Sequence, residues 1–174
     1  MKGLQEHTRR TLIDALAKLR SNILVNHMTA EQAASGETAR SLRIEDTSFG
    51  AALFGREYFG TLEDGRKPGA VPENFNDIIA QWIVDKGIAF KPIPYVRQES
   101  AKWQPKYTPE QRGLMLLAGE IAYIIKTEGT KLHQEGGRKD IFTPEIEKTK
   151  DEVRKALAGI YTTEIQSINE KKWK

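Results

Sequence analysis

Cysteine is absent from the 174 residues, which excludes disulfides, thiolate metal sites and a cysteine nucleophile. A long apolar run is missing too: nothing approaches the roughly 20 residues that span a bilayer. The opening MKGLQEHTRR is charged and lacks the apolar stretch of a secretory signal. A large excess of one charge is missing as well, since 27 Lys and Arg face 24 Asp and Glu for a net charge of +3. That balance is weak support for nucleic acid, even with a sequence pI near 9.0. The expectation is a soluble protein that stays in a reducing cytoplasm, with one domain over residues 1–174 and a core of its own.

What is present reads mostly as helix. Residues 4–26 place Leu12, Leu16, Leu19 and Ile23 on one narrow stripe, the pattern of a helix lying on a surface or against a partner. Thr29-Ala-Glu-Gln32 has the form of a capping box for a short helical turn. A sheet region follows at about 41–60: SLRIED alternates as a half-buried strand, and AALFGREYF is its partner. Residues 73–86 form a helix with Phe75, Ile78, Ile79, Trp82 and Ile83 on its packed face and Gly87 as a left-handed cap. Residues 88–108 form an irregular arm with prolines at 92, 94 and 105. Two last helices, 109–127 and 144–168, each open on Thr-Pro-Glu. Threonine at the N-cap, proline at the first position and a glutamate in the first turn all suit a helix start. Leu114, Leu117, Ala118, Ile121, Ile124 and Ile125 make the inner face of the first; Ile146, Val153, Leu157, Ile160 and Ile168 that of the second.

The stretch EYFGTLEDGRKPG, 57–69, concentrates chemistry-bearing residues. It is not a phosphate loop, because no lysine–hydroxyl pair follows its glycines into a helix. Pro68 also removes an amide that would hold an anion. Glu63 and Asp64 are adjacent, so their side chains diverge on helix or strand. They read as a solvated turn ending at Gly65. His7, His27 and His133 lie far apart, with no metal-ligand spacing. Glu145, Glu147 and Lys148 read as an exposed polar helix face rather than a nuclease cluster. No nucleophile elbow appears. The exposed-looking aromatics and arginines of the loops are residue types enriched at protein interfaces. A nucleic-acid-binding protein is the alternative, and a metal-dependent nuclease using Glu63, Asp64 or Glu147 is a more distant one.

Four stretches carry a resemblance: SGETARSLRIE (35–45), YFGTLEDGRKPG (58–69), FNDIIAQWIVDKGI (75–88) and IIKTEGTKLHQEGGRKDIFTPEIEK (124–148). In their order the chain resembles the tail-completion or head–tail connector (neck) proteins of tailed bacteriophages, in the version found in phages and prophages of Bacteroidetes. The resemblance implies an α+β fold with a long N-terminal helix, a small antiparallel sheet and packing helices that include a long C-terminal one. It implies no enzymatic activity and no cofactor or metal. It implies a structural virion protein made in the host bacterial cytoplasm, forming a ring of six or twelve copies. The partners it implies are the portal or adjacent connector and tail proteins, with packaged DNA in reach and no membrane. A ring subunit must present two different faces to its neighbours. A protruding N-terminal helix and the arm 88–108, with Tyr95 and Trp103 as anchors, are expected to supply them. Tyr58, Phe59, Arg66, Lys67 and Pro68 are the contact residues expected in the turn: the aromatics packing inward or on a neighbour, Arg66 and Lys67 facing acids or DNA, Pro68 stiffening the loop.

Overall fold

The computed structural model describes residues 2–47, 50–96 and 106–172. The fold is α+β. Its elements are α1 (Lys2–Thr29), α2 (Glu37–Ser41), β1 (Arg43–Thr47), β2 (Gly50–Phe54), a 3-10 turn (Glu57–Gly60), α3 (Thr61–Asp64), α4 (Phe75–Asp85), α5 (Pro109–Glu128), α6 (Lys131–Gln134) and α7 (Thr143–Lys172). β1 and β2 form an antiparallel pair in the register Ile44 to Leu53. Among the described residues no helix is long and apolar enough to cross a membrane. The chain forms two compact units, one from residues 1–63 with 138–174 and one from residues 64–137.

The first unit is built on α1 and α7, with the β-hairpin against α1. The narrow stripe of α1 has its partner within the chain: Leu19 and Ile23 are buried with Leu42 and Ile141, and Leu16, Phe59 and Ile146 pack around them. Polar pairs then fix the register. Lys18 Nζ meets Glu152 at 2.9 Å, Asn22 Nδ2 donates to Glu145 at 2.6 Å, and Asn26 Nδ2 donates to the Ile141 carbonyl at 3.0 Å. As α1 numbers rise the α7 numbers fall, so the two helices run antiparallel. An N-terminal helix that protrudes is therefore corrected: α1 is packed along α7. The capping box at Thr29 is corrected too, because α1 continues through Thr29. Glu31 then turns the chain at φ 55°, and Gln32 spends its amide on the Leu62 carbonyl at 2.7 Å. Ile168 is 47 % exposed and not part of the inner face of α7.

The second unit is a pair of helices, α4 against α5. Phe75, Ile79, Ala80, Ile83, Ala118 and Ala122 form its buried core. The packed faces are narrower than the sequence suggests. Ile78 is 46 %, Trp82 38 % and Ile124 46 % exposed, while small residues at 118 and 122 let the helices approach closely. Gly87 takes φ 64° and Ile88 N–H reaches back to the Ile83 carbonyl at 3.0 Å, the expected left-handed cap. Thr108 and Gln111 form a reciprocal capping box at the start of α5. Residues 88–96 have no regular structure yet are fastened to α5. Ile93 N–H donates to the Pro109 carbonyl at 2.9 Å, and Arg112 Nη1 donates to the Pro94 carbonyl at 3.2 Å.

Candidate interface and the Glu63 clamp

The stretch 57–69 divides at its carboxylate pair. Before the pair, Phe59 turns inward and its ring sits 5.6 Å from that of Phe142. Leu62 packs on the same cluster. Tyr58 is 47 % exposed, and its hydroxyl accepts a hydrogen bond from Arg56 Nη1. Arg56 also pairs with Glu37 at 2.7 Å.

Glu63 is not in a solvated turn. It is 3 % exposed, and its carboxylate closes the start of α7. Oε1 accepts from the backbone N–H of Ile141, Phe142 and Thr143 at 2.9, 2.7 and 2.9 Å. Oε2 accepts from the Thr143 hydroxyl. The first amides of a helix have no intrahelical acceptor, and the helix start carries partial positive charge. A buried carboxylate from elsewhere in the chain answers both. Thr143 therefore spends its hydroxyl as a donor to Glu63, not as the N-cap acceptor that Thr-Pro-Glu suggests. The Glu63 carbonyl also accepts from Arg138 N–H at 2.7 Å, so both chain ends of the first unit are tied at this point. Asp64, one residue on, is exposed.

Burial by itself raises the Glu63 carboxyl. The Thr143 hydroxyl and the three amides together outweigh it and hold the group below the ordinary glutamate value. A carboxylate whose folded value is depressed contributes stability that is complete above the unfolded value of about 4.3 and disappears as pH falls through the folded one. The urea midpoint should therefore drop below about pH 4.3. In Glu63→Gln, less stable at neutral pH, that drop should be shallower. Urea curves at a series of pH values read this directly, and parallel acid limbs would remove Glu63 as the cause.

After the pair, the loop is held to the end of α5 in the second unit. Arg66 N–H donates to Thr130 Oγ1 at 2.9 Å, Thr130 N–H returns to the Arg66 carbonyl at 2.9 Å, and Gly69 N–H reaches the Lys126 carbonyl at 2.9 Å. Gly65 has φ 69°, and a Cβ there would lie 2.4 Å from His133 N, so no other residue fits. The Arg66 guanidinium lies 5.2 Å from the centre of the Phe75 ring and donates to the Ala70 carbonyl at 2.6 Å. Lys67 and Pro68 are exposed, and Lys67 has no ion pair among the described residues.

Tyr95 is half-buried under the Arg112 guanidinium, 4.6 Å from its ring centre. Trp103 lies outside the described residues. Glu147 pairs with Lys150 at 2.7 Å on an exposed helix face. Among the described residues no three His, Asp or Glu groups gather where a metal ion would sit. His7 and His27 are twenty residues apart on α1, about 30 Å along its axis.

Sequence reasoning missed an apolar cavity in the first unit. It has a volume of about 420 Å³ and is walled by Leu16, Leu19, Leu53, Phe59, Phe142 and Ile146, with Arg56 at its lip. Its walls come from α1, β2, the 3-10 turn and the start of α7. Each wall residue appears as ordinary core in its own stretch, so only the tertiary arrangement reveals the space. Compared with known proteins, the chain matches no protein-family model, no curated protein and no solved structure.

Proposed function

We propose that the chain is a structural, non-enzymatic subunit of a tailed-phage virion, closing into a ring of six or twelve copies in the head–tail neck. In this reading it is made in the bacterial cytoplasm and ends in the neck between portal and tail. There it contacts portal or adjacent connector and tail proteins, within reach of packaged DNA, and it needs no cofactor. The observation that supports it most is the fate of the stretch 57–69. Its buried carboxylate, the best candidate for chemistry, has both oxygens engaged in holding the start of α7. Of its outward groups, Tyr58 is an exposed aromatic of the kind enriched at interfaces, and Lys67 and Pro68 are exposed as well. The four-stretch resemblance supplies the class.

The mass of the purified protein, by light scattering after size exclusion with negative-stain imaging of the large species, tests the reading. A closed ring is expected; a monomer at every concentration, with or without portal protein, sinks it. Lys67→Glu should shift the ring towards smaller species at least tenfold without changing the circular dichroism. Unchanged assembly would remove Lys67 from the contact. Lys67 is the cleaner probe, because Arg66 has a buried Nε and a ring to cover. Tight duplex DNA binding with a steep salt slope would favour the nucleic-acid reading instead.

A further inference from the structure

The chain leaves the first unit after Glu63 and re-enters it at Arg138, and both points are fixed. The Glu63 carboxylate holds Ile141, Phe142 and Thr143. Its carbonyl accepts from Arg138 N–H at 2.7 Å, so the exit and the return lie side by side on the first unit's own frame. Arg138 is held a second time, through Nη2 to Asp140 at 2.7 Å.

The second unit fixes its own ends as closely. Arg66 N–H donates to Thr130 Oγ1, and Thr130 N–H to the Arg66 carbonyl, both at 2.9 Å. Gly65 lies against the His133 backbone. Gly136 N–H and Gly137 N–H close α6 onto the His133 and Leu132 carbonyls at 3.1 and 2.8 Å. Little chain is left between the two sets of ties. On the way out it is the link from Asp64 to Gly65. On the way back it is Gly137, at φ 80°. Asp64 ends α3, and Gly137 lies just beyond α6. Hinges are a few residues at the ends of elements that take up the change in φ and ψ, and glycine does so at the least steric cost. Two crossings side by side permit rotation about the line through them and resist rotation about the others. Units of one chain that are joined in this way commonly move against each other.

We propose that Asp64–Gly65 and Gly137 form a two-stranded hinge on which the second unit turns as one body, with the Glu63 clamp as its fixed post. The hinge lets the exposed Lys67 and Pro68, which the second unit carries, meet a partner at more than one angle while the first unit stays in place. This does not depend on the ring reading. The absence of cysteine makes a clean test by paired spin labels, with labelled protein diluted into unlabelled. Arg10, Gln81, Glu110 and Lys148 are all exposed. Arg10→Cys with Lys148→Cys lies within the first unit, Gln81→Cys with Glu110→Cys within the second, and Glu110→Cys with Lys148→Cys spans the two. Each inner pair should give one narrow distance by electron double resonance, and the spanning pair a distribution at least twice as wide. A β-branched side chain cannot hold φ 80° at low cost, so Gly137→Val should change the spanning distribution and leave the inner pairs unchanged. A spanning distribution as narrow as the inner ones overturns the hinge. A wide one that Gly137→Val does not alter places the motion elsewhere and overturns it too. So does a wide one accompanied by rapid hydrogen exchange at the amides of Ile141, Phe142 and Thr143, because the clamp would then have frayed instead of holding.

Discussion

Glu63→Ala should cost about 4 kcal/mol of unfolding free energy, while Asp64→Asn beside it should cost less than about 0.5 kcal/mol. The Glu63 carboxylate takes four donors at the start of α7 while 3 % exposed. Its removal leaves those donors in a site that excludes water, where each unmet one costs about 1–3 kcal/mol. Asp64 is exposed, and its loss is absorbed by solvent. A loss near 4 kcal/mol is a large part of the roughly 5–15 kcal/mol that a folded domain holds. Urea unfolding gives the two values, and hydrogen exchange at the amides of Ile141, Phe142 and Thr143 gives the location. Equal small effects from both substitutions would mean that water caps α7 as well as the carboxylate does.

Gly113→Ala and Gly119→Ala should move stability in opposite directions, though both add a methyl group to α5. Alanine is favoured over glycine inside a helix by about 1 kcal/mol, so propensity alone predicts a gain at both. At Gly119 nothing lies within 4 Å of the new Cβ, and the gain should appear. At Gly113 the Cβ would lie 2.1 Å from the Lys91 carbonyl oxygen. That oxygen belongs to backbone and cannot rotate away, and the segment behind it is held by Ile93 and Arg112. The arm must lift off the helix, for a net loss of about 2 kcal/mol. Thermal or urea unfolding of the pair decides it; a gain at Gly113 would show that the arm yields without cost.

The sequence revealed elements whose causes are local. The stripe of α1, the alternation in β1, the Thr108 N-cap and the Gly87 cap all rest on residues within a few positions of one another, and each is where its pattern places it. Contacts between distant positions were hidden. Nothing near Glu63 shows that it will be buried, because its partners are 78 to 80 residues further on. The helix faces were drawn too wide for a related reason. Helical spacing marks every apolar side chain on a stripe, but the unit of α4 and α5 has one partner helix for each, so Ile78, Trp82 and Ile124 remain outside. The short helices α2, α3 and α6, of four or five residues each, are too brief for any periodicity. Of the stretch 57–69, inward packing was one of the two placements expected for its aromatics, and Phe59 takes it; the cavity that Phe59 helps to line was not legible.

The interrupted first unit sets an order of events during synthesis. Residues 64–137 are contiguous, so they can fold once they have emerged. The apolar stripe of α1 can meet Leu42, Leu53 and Phe59 early, but its packing is completed only by α7, whose Glu152 lies 134 residues beyond Lys18. At about 5–20 residues per second that delay is on the order of 10 seconds. Throughout it Leu19 and Ile23 lack the helix they will pack against, and Glu63 lacks the amides it will hold. The vulnerable period of this protein is thus written into its chain order.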